Sequence, residues 1–509
     1  MKKMVTASLL AAMALTTVNA SSLENRLSDL ETELADVKKK LKKQNRKINK
    51  VKAHDAGDNI KWGVDLRTGI DSVSYDFADG TSASNDDLMS LRLWLNMEYA
   101  PDENNVFKGQ LSMNKAFGGD FTGERGDSFG SLFDWVGNEA LTDNSLKVRQ
   151  AYWLYLGDDL FGAEIPWTFS LGRRPSTGGF LANLREDDAA NSPLGHVINV
   201  EFDGLSTKVD LSAVTGIQGM SFKICMGKGS TNAAPILSIA PYTEDEGIED
   251  IDLAGFIFEP YNDGQFIVKA TGYRAWNLPD LDNPFSPTPA FETVGNMDGA
   301  AISILVDGLT EDGFFSDTKV FGSFAWTKSD PDASGTGMFG STESETGTSF
   351  WVGTQLPVIE DGVLGLEYNH GSQYWRPFTY AEDTMVGSKI ATRGDAYEAY
   401  FTYQLTEALS AQLRYTKIDY EYAGSQGFFG STTGNAAKIS DIKSGAAGFA
   451  SLDPAKQASI GQDLQSIIGG GTPTNGSTPQ ELGMAKAAAF APNIVETAED
   501  FRFYIRYRF

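Results

Sequence analysis

Cysteine and histidine are nearly absent from this chain: Cys225 is the single cysteine of 509 residues, and the histidines are His54, His196 and His370. One thiol cannot close a disulfide within the chain, and three imidazoles leave little material for acid–base or metal chemistry. No catalytic residue, metal or cofactor is expected. Long apolar runs are missing too. Beyond the N-terminal segment nothing approaches the 18 uninterrupted apolar residues of a membrane-spanning helix. Positive charge is scarce in the body: residues 1–59 hold 12 Lys and Arg against 7 Asp and Glu, whereas residues 60–509 hold 30 against 61. An acidic body of that kind repels nucleic acid, so no DNA or RNA partner is expected.

The short motifs carry little. Gly126-Asp127-Ser128-Phe129-Gly130 matches G-x-S-x-G but lies among Gly and Asp residues, without the strand and helix that a nucleophile elbow requires. Asp330-Pro331-Asp332-Ala333-Ser334-Gly335 begins like a calcium loop, yet its twelfth position is Ser341 rather than Glu. Asn369-His370-Gly371-Ser372 reads as a histidine at a strand end near a loop.

What is present is strongly patterned. The start, MKKMVTASLLAAMALTTVNA, has the basic, apolar and small-residue layout of a secretory signal over residues 1–20. Residues 21–52 then space Leu23, Leu27, Leu30, Leu34, Val37, Leu41, Ile48 and Val51 at alternating steps of four and three, with Gln44 as a polar break. Such a narrow seam predicts a coiled coil, a rod of about 43 Å, and therefore a homo-oligomer. Its basic segment Lys38 to Lys52 suits contact with cell-wall carboxylates. Residues 53–59 form a linker.

From residue 60 the period changes to two. Ile60, Trp62, Val64, Leu66 and Ile70 alternate with Lys61, Asp65, Arg67 and Asp71, and the same scheme recurs to the terminal FRFYIRYRF. A period of two is a strand with one apolar and one polar face. Short turns alternate with long loops, and few helical stretches exist to cover the apolar faces. The predicted fold is all-β: an antiparallel transmembrane β-barrel over 60–509, of about 16 strands, with 14 or 18 also compatible, preceded by the helical stalk. Trp62, Tyr99, Tyr155, Trp167, Trp276, Trp326 and Trp351 are candidates for the aromatic girdles. The large loop 424–497 is compatible with a helical cap, a lumen plug or a surface loop.

Signal, stalk, barrel and terminal aromatic together resemble an uncharacterised outer-membrane porin family of Gram-negative bacteria, and the barrel is broadly similar to 16-stranded general porins. The resemblance implies a passive channel for small hydrophilic solutes or ions in the outer membrane, assembled as a trimer, with the stalk in the periplasm. Outer-membrane lipid, lipopolysaccharide and the barrel assembly machinery are the implied partners, and Phe509 the C-terminal assembly signal. The loop at 175–195, after Leu171-Gly172-Arg173-Arg174, is similar in position to a porin constriction loop. Glu186, Asp187 and Asp188 are its expected constriction residues, and Arg92, Lys147, Arg149 and Arg174 the pore lining they face. The alternative is a barrel that only anchors the coiled coil toward the cell wall.

Overall fold

Strict alternation over ten to eighteen residues gives each segment one face for a nonpolar surround and one for a polar interior, and pairing such segments edge to edge into a ring satisfies every strand. The chain does this. The computed structural model describes residues 60–119, 141–176, 178–233, 243–244, 249–281, 291–332, 339–379, 384–424 and 436–509. The signal, stalk and linker, the Gly126–Gly130 motif and residues 333–335 of the Asp330–Gly335 motif lie outside the described residues.

The first barrel strands are β1 (Lys61–Phe77), β2 (Ser82–Tyr99), β3 (Asn105–Ala116), β4 (Lys147–Gly157) and β5 (Trp167–Ser176). Two short segments, β6 (Gly179–Phe180) and β7 (Asn191–Leu194), pair in parallel apart from the barrel. The wall resumes with β8 (Val200–Asp210), β9 (Ser221–Ser230), β10 (Ile251–Asn262), β11 (Phe266–Leu281) and β12 (Phe291–Asp307). It continues with β13 (Lys319–Pro331), β14 (Thr346–Ile359), β15 (Gly362–Gly371), β16 (Gly394–Gln404), β17 (Leu409–Tyr420) and β18 (Val495–Arg508). Among the described residues these make a closed antiparallel barrel of 16 strands, β5 running beside β8 and β18 beside β1. Beyond the last strand, Phe509 exchanges both backbone hydrogen bonds with Val64, at 3.0 and 3.1 Å.

Register fixes the faces. Arg67 lies opposite Arg506 on one side and Arg92 on the other, and all three point inward and are buried. Leu66, Ile70, Trp153, Leu171, Phe324, Phe350, Phe503 and Ile505 point outward and stay exposed. A continuous exterior of that kind is an apolar belt far larger than water-facing surfaces carry. Trp62, Trp167, Trp276 and Trp326 belong to the outward parity, but Trp351 does not. It is 1 % exposed and faces inward, edge-on to Phe321 at 5.0 Å, with its indole N–H donating to Glu367 at 3.0 Å. Phe350, Trp351 and Val352 are consecutive, so the sequence offers both parities an apolar residue; the pairing of Ser349 with Gly371 decides between them.

The interior is filled rather than empty over much of one side. Inward residues of β10 to β14, among them Leu253, Tyr273, Met297, Phe321 and Trp351, form one apolar cluster with Leu181, Leu194, Val197 and Ile198 from the connection after β5. Elsewhere on the inner face Gly365 makes room for Tyr400, because a Cβ there would lie 2.0 Å from its ring.

Among its described residues the long segment before β18 holds three α-helices, α1 (Ile439–Ala450), α2 (Pro454–Ile468) and α3 (Pro479–Phe490). Asp453 caps α2, and Thr478 with Glu481 makes a reciprocal capping box at α3, each followed by proline at the first helical position. Ile439 and Ile442 of α1 pack with Val73, Ile418, Tyr420 and Val495 at the ends of β1, β17 and β18. Much of the described part of this loop is thus helical.

Candidate functional site

The connection from Ser176 to Val200 is the inward-folded segment, and its conformation is built locally. Asn199 Oδ1 accepts from the Gly178 N–H at 2.8 Å, and the N–H of Asn191 donates to Gly178 O at 3.0 Å, closing the neck. Leu181 and Asp187 sit at φ 76° and 50°, left-handed positions that side-chain-bearing residues adopt under constraint. Asn183 ties the far end, its side-chain amide donating to Asp188 O at 2.8 Å.

His196 anchors the returning limb. Its ring is fully buried, with Nδ1 2.8 Å from Ser323 Oγ and Nε2 2.9 Å from Ser349 Oγ. The Ser349 hydroxyl donates onward to Asn369 Oδ1 at 2.9 Å, so its oxygen is free to accept from Nε2–H. Burial against Trp351 and Trp375 pushes its pKa down to about 3.

The tip carries four consecutive charged residues, and each meets the wall. Arg185 Nη1 lies 3.2 Å from Glu398 Oε2 on β16. Lys389 lies between Glu398 and Glu367, 2.6 Å from Glu367 Oε2. Glu186 receives Arg414 at 3.1 Å, Arg67 at 3.4 Å and the Tyr504 hydroxyl at 2.8 Å. Asp188 receives Arg506 and Arg508, both at 2.8 Å, while Arg506 Nε also donates to Asp65 at 2.9 Å. Asp187 pairs with Arg508 at 3.3 Å and is 83 % exposed. Buried charges survive only when paired and hydrogen-bonded, and here six arginines, one lysine and six carboxylates form one such network.

The residues singled out from sequence divide into two groups. Arg92 and Arg149 come together, their guanidinium carbons 3.6 and 4.2 Å from the ring centre of Trp94. Arg149 also reaches Glu201 at 3.2 Å and Gln110 at 2.6 Å. Arg174 stands apart, over Tyr152 and bonded to Ser170 Oγ, and Lys147 lies opposite Ser112 at the start of β4. The acidic tip does not face this set. It crosses the lumen to Arg67, Arg414, Arg506 and Arg508, because a segment rooted between β5 and β8 and reaching that far meets β16, β17, β18 and β1. Phe509 points outward and is 65 % exposed. Sequence reasoning missed Arg185, Glu201, Lys389 and the role of His196. Only the alternation could have flagged an inward charge, and Arg185, Lys389 and His196 lie outside the strands.

Among the described residues, a closed 16-stranded antiparallel barrel with an apolar exterior, and with the connection after β5 and residues of the connection between β15 and β16 packed in its interior, defines a barrel of the porin type. Its model matching residues 82–463, the chain belongs to the family described as "Protein of unknown function (DUF3373)". No curated protein matches it. Solved structures to which it is similar include OprB of Pseudomonas putida, with 10 % identity over 90 % of this chain and 96 % of that one, at a TM-score of 0.46. Another is the anion-selective porin from Comamonas acidovorans, with 10 % identity over 89 % and 99 % of the two chains and a TM-score of 0.43. A third is Salmonella typhi OmpF in complex with daunomycin, with 12 % identity, the same coverages and a TM-score of 0.43.

Proposed function

We propose that this protein is an outer-membrane channel for passive diffusion of small hydrophilic solutes or ions, held as a trimer with the heptad stalk at its periplasmic side. The apolar belt supports the membrane location. The observation that carries the channel reading is the acidic tip, Glu186 to Asp188, set across the barrel against Arg67, Arg414, Arg506 and Arg508. Charge fixed inside a barrel at close quarters sorts permeating ions. Lys147, Arg149 and Arg174 line the wall further round the same path in this reading, and Arg92, which shares Asp65 with Arg506, adjoins the partners of the tip. Partly exposed Lys108 and Glu98, 3.7 Å apart, furnish a polar vestibule.

A second reading is a structural barrel that anchors the stalk toward the cell wall. It is favoured by the exposures of Arg92, Arg149 and Arg174, only 2, 5 and 9 %, and by the apolar cluster inside the wall. Single-channel recording of the purified full chain in planar bilayers separates the two. Stepwise openings support the channel; a folded but silent barrel supports the anchor. Neutralising Glu186, Asp187 and Asp188 together moves the reversal potential in a salt gradient toward anions. An unchanged potential would put this segment outside the conduction path.

A further inference from the structure

The acidic tip leaves one basic sector of the wall unserved. Arg174 on β5, Lys208 on β8, Lys223 on β9 and Lys269 on β11 share the inward parity there. Lys208 and Lys223 are direct cross-strand neighbours, a like-charge pairing that weakens a sheet. Lys269 has Glu259 at 3.1 Å. Among the described residues no carboxylate stands at ion-pair distance from Arg174, Lys208 or Lys223. Arg174 instead bonds to Ser170 Oγ and lies 4.9 Å from the Tyr152 ring centre, and Lys223 donates to Ser192 Oγ at 2.7 Å. Arg174 and Lys223 are nevertheless 9 and 8 % exposed. Two cations withdrawn from water without counter-charge are costly unless something anionic joins them.

Both border a partly open cavity between the wall and the inward-folded segment. Thr271 Oγ1 lines it too, buried and without a hydrogen-bond partner. Away from the charges the lining is apolar, with Phe202, Leu253 and Ile257. A bare inorganic anion would satisfy the cations and waste this wall; an uncharged solute would do the reverse.

We infer that this cavity binds a small organic carboxylate, its head group held by Arg174 and Lys223 and its short tail on Leu253 and Ile257. Thr271 supplies a hydroxyl donor to the head group. The site is independent of whether the barrel conducts, because it is read as binding to the folded protein in detergent.

Saturation-transfer NMR on the full chain tests it with three probes: butyrate, its uncharged isostere butyramide, and inorganic phosphate as a competitor. Butyrate is expected to show saturable transfer to its methyl protons, butyramide at least tenfold weaker binding, and phosphate poor competition. Lys223→Met and Arg174→Met should each weaken butyrate at least tenfold, and Lys228→Met, on the outer face, should leave it unchanged. Equal binding of butyramide would overturn the role of the cations. Full displacement by equimolar phosphate would overturn the assignment to an organic acid. The comparison of the three probes on the unaltered chain decides the matter if a variant fails to fold.

Discussion

Arg506 Nη2 lies 2.8 Å from Asp188 Oδ1, joining the strand that closes the barrel to a segment 318 positions earlier in the chain. The same guanidinium binds Asp65 on the first strand. One side chain thus ties the seam between β18 and β1 to the inward-folded tip, so docking of the tip and closure of the wall support each other.

Glu186 is the tip residue whose loss should cost most. Its carboxylate serves Arg67, Arg414 and Tyr504 while 9 % exposed. Glu186→Gln removes the charge and keeps the shape, at an expected cost of about 3 kcal/mol. Hydrogen exchange of residues 178–199 should accelerate about a hundredfold. Asp187→Asn, on a side chain left 83 % exposed, should leave those rates within a factor of two or so. Equal effects would show that Glu186 is not the anchor.

Lys389 separates two carboxylates that otherwise repel. It binds both Glu367 and Glu398, each almost fully enclosed. Lys389→Met should destabilise the folded barrel by about 3–5 kcal/mol. Adding Glu367→Gln should restore part of that, since one unpaired carboxylate is then removed. Thermal loss of the compact form on non-boiled gels reads both, and strictly additive losses would argue against the coupling.

His196 makes docking pH-dependent, with a sign that can be fixed. Its folded pKa is about 3 against an ordinary 6.5, so between those values only the undocked state takes up a proton. Docking should therefore be strongest above pH 6.5. It should weaken by about 1.4 kcal/mol per unit as the pH falls toward 3. Limited proteolysis of residues 178–199 against pH reads this, and His196→Gln, which keeps two polar ends for Ser323 and Ser349, should flatten the profile. A variant as pH-sensitive as the natural chain would move the effect elsewhere.

Asp463 organises the turn between α2 and α3. Burial alone would raise its pKa, but the Ser477 hydroxyl and the N–H groups of Asn475, Ser477 and Thr474 hold it well below the usual aspartate value. The folded value is depressed, so this stabilisation is fully present above about pH 4 and is lost as the pH falls toward the folded value. Asp463→Asn should cost about 1.5–3 kcal/mol and expose residues 469–478 to protease at neutral pH. An uncleaved variant would show that the helices hold the turn without it.

The sequence alone determined the strand period, the closed antiparallel barrel, and the inward parity of Arg67, Arg92, Arg414, Arg502 and Arg506. Each of these follows from alternation along a strand, a property of neighbouring residues that survives in one dimension. The caps of α2 and α3 came to light with the structure, where the Asp453 and Thr478 side chains accept from N–H groups three residues on. Tertiary structure decided which charges meet. Nothing local pairs Glu186 with Tyr504 or Arg185 with Glu398, since both contacts depend on how far an inward-folded segment reaches across a ring already closed. It also chose the inward side for Trp351, where three consecutive apolar residues left the parity open until β15 set the register. Periodicity assigns a residue to a face; only closure and packing assign it a partner.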